Sequence, residues 1–549
     1  MPTLTIDGKS YAFEGKKMIL QVALENDHEI PHYCYHPGLS IVASCRICLA
    51  EVAQPNPRNN NKVELIPKLM PTCQTPAADG MVVHTNSPKS IANQKAVMEY
   101  LLINHPLDCP VCDQAGECHL QDYSFEYGRS QSRFEEDKIK QPVKDVGTLV
   151  KLYGDRCILC SRCVRFTREV SGTAEIGVFG RGAMEQIDVF PGHPLENELS
   201  GNVVDICPVG ALLDKDFLFT QRVWFLKETP GIDGITASGA NISIEHNEGR
   251  IYRVKPRRNM DVNKWWISDE VRYGWKFVHS EERLTTPLRK QMGDQMTCDW
   301  KKAIEDAAHG LKHAVHEAKG AAGLALVVSP MLTCEEAYAL RKLARGLDPN
   351  ALLIVGPIPT QGEDKTFPGG YTVYAEKCPN SRGVRRALET VAGDAKQVLA
   401  YDEGLAQVGD KKSTIKAVGL TGNFPSTWTT KELTDAARGK FTVLIDTLPN
   451  DLTGKADLVL PSVTWTEKAG TFENAKGKLQ AFPQAIATLE GARSEGQIAL
   501  DLLAACGLAD RAIFDAEVIR QNMGEPFLEG GVQPTAVHAE EADLQYVEL

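Results

Sequence analysis

The sequence predicts a multi-domain chain of mixed α+β and α/β class, on three observations. Its 549 residues, 43% of them hydrophobic, are enough for about three to four separate cores. Eleven of its fifteen cysteines fall between residues 34 and 207, which sets the front of the chain apart chemically. Past residue 282, short apolar runs alternate with helical stretches, the pattern of a doubly wound, mostly parallel sheet.

Charge and hydropathy narrow the class. A formal net charge of −12 opposes nonspecific attraction to nucleic-acid phosphates. No run approaches the roughly eighteen consecutive apolar residues of a membrane span. The opening "MPTLTIDGKS" is polar and strand-like rather than a secretory leader, so the cysteines are expected to be reduced thiols, not a disulfide framework.

The first element is a hairpin, "LTIDGKSYAF", turning at Asp7-Gly8. "KKMILQVALEND" follows with Met18/Val22 and Leu20/Leu24 at helical spacing. Next come Cys34, Cys45, Cys48 and Cys73, written C-x10-C-x2-C-x24-C. The close pair and the remote fourth cysteine follow the logic of plant-type [2Fe–2S] ferredoxins; the longer first gap implies a differently shaped loop. Thiolates are the soft, charged donors iron needs. A four-cysteine zinc site is the alternative, although zinc prefers two C-x2-4-C knuckles and only one is present.

"CILCSRC" places Cys157, Cys160 and Cys163 on one tight turn, the local ligand run of a [4Fe–4S] cubane. The C-P pair that closes such a run lies far off, at Cys207-Pro208 in "DICPVGAL". One cubane closed by a remote cysteine is the economical assignment; zinc or a redox dithiol is the alternative.

Between these groups, "HPLDCPVCDQAGECHLQD" supplies only Cys109, Cys112 and Cys118. Asp108, Asp113, His105 and His119 are the nearby candidates for a fourth ligand. "SPKSIANQKAVMEYLLIN" upstream predicts a helix capped by Ser87, with Pro88 in its first turn and Ile91, Met98, Leu101 and Leu102 on one face. Pro106 stops it, leaving His105 at its end, beside the cysteine loop. Imidazole is an acceptable iron donor, and replacing a thiolate with it raises a cluster's potential. A histidine favoured there only by the helix C-terminal dipole is the other reading. Spacing alone leaves both open, with His119 behind His105.

The motifs "HPLDCPVCDQAGEC", "GDRCILCSRCVRFTRE" and "DICPVGAL", taken in order, resemble the family of NADH-quinone oxidoreductase (respiratory complex I) subunits known as the G-type subunit in bacteria and the 75 kDa subunit in mitochondria. The resemblance implies that His105 ligates a [4Fe–4S] cluster with Cys109, Cys112 and Cys118, and that His119 is a neighbour. It implies an N-terminal [2Fe–2S] ferredoxin-like (β-grasp) domain over 1–80, a histidine-ligated [4Fe–4S] domain over 81–123 and an all-cysteine [4Fe–4S] domain over 124–225. It further implies electron relay from a flavin- and NADH-binding subunit towards quinone through a ferredoxin-like two-cluster subunit. The expected setting is peripheral, on the cytoplasmic side of a bacterial inner membrane or the matrix side of a mitochondrial one.

In the second half, "ANISIEHNEGRIYRVKPRR" reads as a hairpin turning near Asn247–Gly249, within a small β-rich domain over 226–282. "TCEEAYALRKLARGL" opens with a capping box, Thr333 with Glu336. "ADLVLPSVTWTEKAGTFENAKGKLQAF" resembles the molybdopterin-oxidoreductase fold, assigned to 283–525, with an acidic tail over 526–549. Active molybdenum enzymes of this kind carry a further C-x2-C-x3-C cluster, but "TPGIDGITASGANIS" holds no cysteine. The half is therefore expected to be a degenerate scaffold without molybdopterin or an additional [4Fe–4S] cluster. No G-x-G-x-x-G or Walker motif offers a nucleotide site, and no nucleophile–base pair suggests an independent catalytic centre. The isolated Cys298, Cys334, Cys378 and Cys506 read as small buried hydrophobes. Two other functions compete: a diaphorase-side subunit of an NAD-linked hydrogenase, and a multi-zinc scaffold.

Overall fold

The computed structural model describes residues 1–389, 398–524, 527 and 532–533. The acidic stretch "VHAEEADLQYVEL" lies outside them. The described chain divides into two compact units, Met1–Leu226 with Phe367–Tyr371, and Lys227–Thr366 with the described residues from Thr372 to Gln533. No helix among the described residues is long and apolar enough to cross a membrane.

The first unit opens on a six-stranded sheet in the order Lys9–Ala12, Thr3–Ile6, Met81–His84, Leu49–Asn56, Lys62–Leu65, with Met70–Pro71 paired to Leu49–Asn56. Asp7 (φ 47°) and Gly8 (φ 88°) both take positive φ, as a two-residue hairpin turn with right-handed twist requires. The helix Ile19–Leu24 buries Ile19, Leu20, Val22 and Ala23 in the same core as Leu4, Ile6, Val52 and Val83. Of the expected pairs Met18/Val22 and Leu20/Leu24, Val22 and Leu20 are buried, whereas Met18 is the N-cap and Leu24 is exposed.

The helix Pro88–Leu102 has Ser87 as N-cap, accepting from the Ser90 amide at 3.2 Å. Its inner face is Ser90, Gln94, Val97 and Met98, and Ile91 is exposed. The reason is polar. Ser90 Oγ and Gln94 Nε2 donate to the carbonyls of His84 and Thr85, at 3.0 and 3.1 Å. Those carbonyls lie at and just past the end of the strand Met81–His84, and buried backbone acceptors need donors. Beyond the short helix His119–Tyr127, the strands Leu212–Asp214, Val150–Tyr153 and Val143–Asp145 form a small antiparallel sheet.

The second unit begins with three antiparallel strands, Lys227–Ile232, Asn241–Asn247 and Arg250–Pro256. The cysteine-free loop between the first two is organised by buried Asp233, which accepts from the amides of Ile235 (2.8 Å) and Thr236 (3.2 Å) and from Ser238 Oγ (2.7 Å). Its main sheet then runs Asp294–Thr297, Leu288–Gln291, Leu458–Pro461, Phe441–Asp446, Ala417–Thr421, Leu324–Val328, Leu352–Val355, Val398–Leu399. The six strands from Leu458–Pro461 onward pair in parallel. Leu324–Val328 is buried along its whole length, its alternate residues entering two different cores, as a strand covered on both faces must be.

Winding reverses between Leu324–Val328 and Ala417–Thr421, whose ends are tied by the Ser329 amide donating to Thr421 Oγ1 at 2.8 Å. Beside them the capping box of Thr333 and Glu336 forms as the sequence predicts. Lys468 Nζ lies 2.8 Å from both Glu336 and Glu495, all three buried, and Asn423 Nδ2 donates to Glu495 at 3.0 Å. Burial, opposed by Lys468, holds the Glu495 carboxyl up at about 8. At Glu336 burial pushes the same way, but there the Lys468 ammonium and further hydrogen bonds win and keep the carboxylate ionised.

Lys468→Met strands the buried Glu336 charge and should destabilise the second unit by about 3–5 kcal/mol in urea unfolding. Burial raises the Asp233 carboxyl from the usual 3.8 to about 6, so the folded unit binds its proton more tightly than the unfolded chain. Stability should fall as pH rises through that window by about 2–3 kcal/mol relative to Asp233→Asn, read from unfolding midpoints at several pH values.

Candidate iron–sulfur centres

The three groups of cysteines lie in the first unit. In the first group the Cys34 thiol is in hydrogen-bond contact with those of Cys45 and Cys73, and Cys48 with Cys73. Cys34, Cys48 and Cys73 are buried and Cys45 is half-buried. The loop closes through two non-glycine residues in the left-handed region, Ala43 (φ 52°) and Arg46 (φ 63°), backbone strain of the kind kept where a site must be shaped. Hydrogen bonds from the Cys45 and Cys73 thiols pull Cys34 down, and the same contact pushes Cys45 up. Sharing of protons among converged sulfurs has this signature.

Cys157, Cys160, Cys163 and Cys207 line one cavity, with Leu152, Ile158, Arg162, Ile187, Val209 and others in its wall. Leu159 (φ 52°) and Ser161 (φ 59°) wind the C-x2-C-x2-C turn tightly, and the Leu159 amide donates to Cys157 Sγ at 3.4 Å. The short helix Asn202–Asp205 delivers Cys207 from the far side, its amide bonded to the Val204 carbonyl. Burial pushes the Cys157 and Cys160 thiols up to about 12 and about 11.

Arg162 shares that cavity wall and is 7% exposed. Its guanidinium donates to the carbonyls of Tyr35 (2.6 Å) and Ile206 (3.2 Å), and its buried Nε has no partner among the described residues. Among those residues no carboxylate pairs with it. Burial draws its pKa down, and the Cys160 and Cys207 sulfurs are the foremost groups opposing that. A buried cation costs several kcal/mol unless negative charge lies beside it. A cluster held by four thiolates is anionic, so the donor set and the orphaned Nε both fit one in this cavity. Arg165, three residues on, donates to the carbonyls of Cys34, Ser40 and Cys160.

In the middle group Cys112 and Cys118 are buried and Cys109 is exposed. The Cys112 amide closes a turn on the Asp108 carbonyl at 2.8 Å, and Cys118 caps the helix His119–Tyr127. Burial raises both thiols, Cys118 to about 12. His105 follows the helix Pro88–Leu102, its amide bonded to the Leu102 carbonyl at 3.2 Å. Burial, then Arg156 and Lys138, lower its imidazole to about 4, so the ring is neutral and carries a donor lone pair at neutral pH.

The other candidates are engaged elsewhere. Asp108 is held by Arg156 at 2.8 and 3.1 Å, Asp113 accepts from the Phe219 amide at 2.6 Å, and the His119 ring packs on Tyr123. Among the described residues no three His, Cys, Asp or Glu side chains close on a single ion. A cluster distributes its thiolates over several irons, a looser arrangement that suits ligands spread around a cavity.

Sequence reasoning missed the arginines. Their signal was present in "DRCILCSRCVRFTRE", where four arginines stand before, between and after three cysteines. It also missed Gly210, where an added Cβ would fall 2.3 Å from Cys112 Sγ, so the Cys207 loop and the Cys112 loop touch only because that residue has no side chain.

Five family models match the chain. They are a 2Fe-2S iron-sulfur cluster binding domain (1–88), the NADH-ubiquinone oxidoreductase-G iron-sulfur binding region (94–133) and the NADH-quinone oxidoreductase subunit 3 ferredoxin-like domain (147–213). An NDSU1/NuoG-like 4Fe-4S domain follows (226–276), here without a cysteine, and then molybdopterin oxidoreductase (367–505). The fold class is thus the one expected: iron–sulfur domains followed by a molybdopterin-oxidoreductase domain.

The mitochondrial NADH-ubiquinone oxidoreductase 78 kDa subunit of Neurospora crassa is 40% identical over 359 residues, covering 64% of this chain and 46% of that protein. The 75 kDa subunit of Reclinomonas americana is 42% identical over 304 residues, 55% of this chain and 42% of that one. The G-type subunit of the Rickettsia felis NADH-quinone oxidoreductase is 36% identical over 350 residues, 64% of this chain and 50% of that one. The chain thus spans about half the length of the curated relatives it matches. A chain of an NAD+-reducing [NiFe]-hydrogenase crystal structure in the H2-reduced state matches 40% of this chain and 91% of its own at a TM-score of 0.35 and 27% identity. By its domains and its relatives, the chain is a homologue of the G-type and 75 kDa subunits of NADH-quinone oxidoreductase.

Proposed function

We propose that this chain is the electron-relay subunit of an NADH-quinone oxidoreductase. It would take electrons from a flavin- and NADH-binding subunit and pass them through a ferredoxin-like two-cluster subunit towards quinone. Cys34, Cys45, Cys48 and Cys73 hold a [2Fe–2S] cluster; His105, Cys109, Cys112 and Cys118 hold one [4Fe–4S] cluster; Cys157, Cys160, Cys163 and Cys207 hold another. When bound, these clusters supply one-electron chemistry. The observation that carries the reading is Arg162, a buried cation whose available counter-charges are thiolates.

The chain's own residues do three things. They present soft donors on loops wound through left-handed residues, they bury those donors away from water, and they place fixed positive charge between them. The neutral His105 ring supplies a donor without charge, which lowers the negative charge of its site relative to an all-thiolate one. The segments 1–80, 81–123 and 124–225 each carry one site in this reading. The stretches 226–282 and 283–525 are scaffold, and the scaffold does not stop at 525, since Phe527 is buried in its core and Val532–Gln533 pairs with Leu479–Phe482. Support for a scaffold comes from the crevice where winding reverses, the usual ligand site of such sheets. There Thr333, Glu336, Asn423, Lys468 and Glu495 are committed to one another. The subunit lies on the peripheral, cytoplasmic or matrix side of the membrane.

Chemical analysis of anaerobically reconstituted protein should find about ten irons per chain with matching acid-labile sulfide and negligible zinc. A folded, colourless, iron-free or zinc-loaded chain would overturn the assignment. His105→Cys should keep a cubane but lower its midpoint potential, because a charged thiolate replaces a neutral nitrogen. An EPR-monitored titration identical to the wild type would remove His105 from the ligand set.

A further inference from the structure

Arg156 stands immediately before Cys157, the first thiol of the all-cysteine group, yet its side chain serves the other [4Fe–4S] group. It is 4% exposed, lies flat over the Tyr153 ring at 3.9 Å, and holds Asp108 through Nη2 (2.8 Å) and Nε (3.1 Å). Its remaining nitrogen, Nη1, faces Cys112 Sγ at 3.5 Å and the Gly210 carbonyl at 3.4 Å. The contacts come from three places in the chain: Tyr153 from a strand, Asp108 and Cys112 from the middle loop, Gly210 from the loop after Cys207. A planar fork suits this divided task, because one face stacks while two edges bond in fixed directions.

We propose that Arg156 is a positioning residue that sets the reduction potential of the group held by Cys112. Reduction by one electron adds one negative charge at the ligand sulfurs. A hydrogen bond and a buried positive charge at Cys112 Sγ favour that added charge and raise the potential. Asp108 works in the opposite sense. It both aims the guanidinium and offsets part of its charge, so the pair acts as an internal trim. Gly210 permits the arrangement, since an added Cβ there would occupy the space of Cys112 Sγ. The close approach brings the thiol loop of one cubane and the backbone entering the other within the span of a single side chain. This role rests on the ligand assignment proposed above.

The test is an EPR-monitored redox titration of the full reconstituted chain, with the [2Fe–2S] signal as internal reference. Arg156→Gln should lower the midpoint of the His105/Cys112 cluster by the equivalent of about tenfold in its reduction equilibrium, which is about 59 mV for a one-electron couple. Asp108→Asn should raise it, and Arg156→Lys, which keeps the charge, should fall nearer the wild type than Arg156→Gln. Opposite signs for two partners of one ion pair are not produced by a residue that merely holds the fold. Shifts below twofold, shifts of the same sign, or loss of this cluster in both Arg156→Gln and Asp108→Asn would overturn the tuning role. Wild-type protein without iron would instead defeat the ligand assignment itself.

Discussion

Positive charge buried among sulfurs is the constraint around which the first unit is built. Arg156, Arg162 and Arg165 are all less than a tenth exposed, and among the described residues only Arg156 of the three has a carboxylate partner. With every thiol protonated such an arrangement is costly, since taking a guanidinium out of water loses several kcal/mol that carbonyl dipoles recover only in part. It would become favourable when each thiol releases its proton to solvent as its sulfur binds metal, so that the site turns anionic. Burial raises most of these thiols, so the charge arrives with the metal rather than before it. Under the proposed ligand assignment, folding and loading would therefore be coupled through electrostatics; the same arginines also tie the cysteine loops together.

That second role explains the connectivity. Arg162 and Arg165 leave the all-cysteine loop and end on carbonyls of Tyr35, Cys34 and Ser40, in the first group's loop. Arg156 leaves the same segment in the other direction and ends on Cys112. One short stretch thus anchors both neighbouring sites. Spacing between sites in a relay must be fixed, because transfer falls steeply with separation. Buried, multiply bonded donors fix it better than exposed side chains, whose rotamer freedom would have to be frozen.

The second unit solves a different problem with similar means. A doubly wound sheet leaves a polar crevice where its winding reverses, and strand-end groups there need partners. Lys468 between Glu336 and Glu495, with Asn423 and Thr333, supplies them internally. Likewise Asp233 gathers the amides and hydroxyls of a loop that contains no cysteine. In both places side chains satisfy backbone and carboxylate groups from within the protein itself.

Much of this was readable in order along the chain. The hairpin at Asp7-Gly8, the Ser87 cap, the capping box at Thr333 and the strand–helix alternation after residue 283 are local matters of propensity, periodicity and turn chemistry, and all appear where those rules put them. Donor types and their clustering were equally plain, because cysteine spacing is itself the signal. On Pro88–Leu102 the expected Met98, Leu101 and Leu102 do pack inward, but Ile91 is exposed, because two carbonyls at the end of the preceding strand demanded Ser90 and Gln94. Only tertiary structure decided which arginine meets which sulfur: Arg156 and Cys112 are 44 residues apart, Arg162 and Tyr35 are 127 apart. Local sequence determines how each loop winds. Which loops end up side by side depends on cores assembled from the whole unit, and on a missing side chain at Gly210 that no periodicity records.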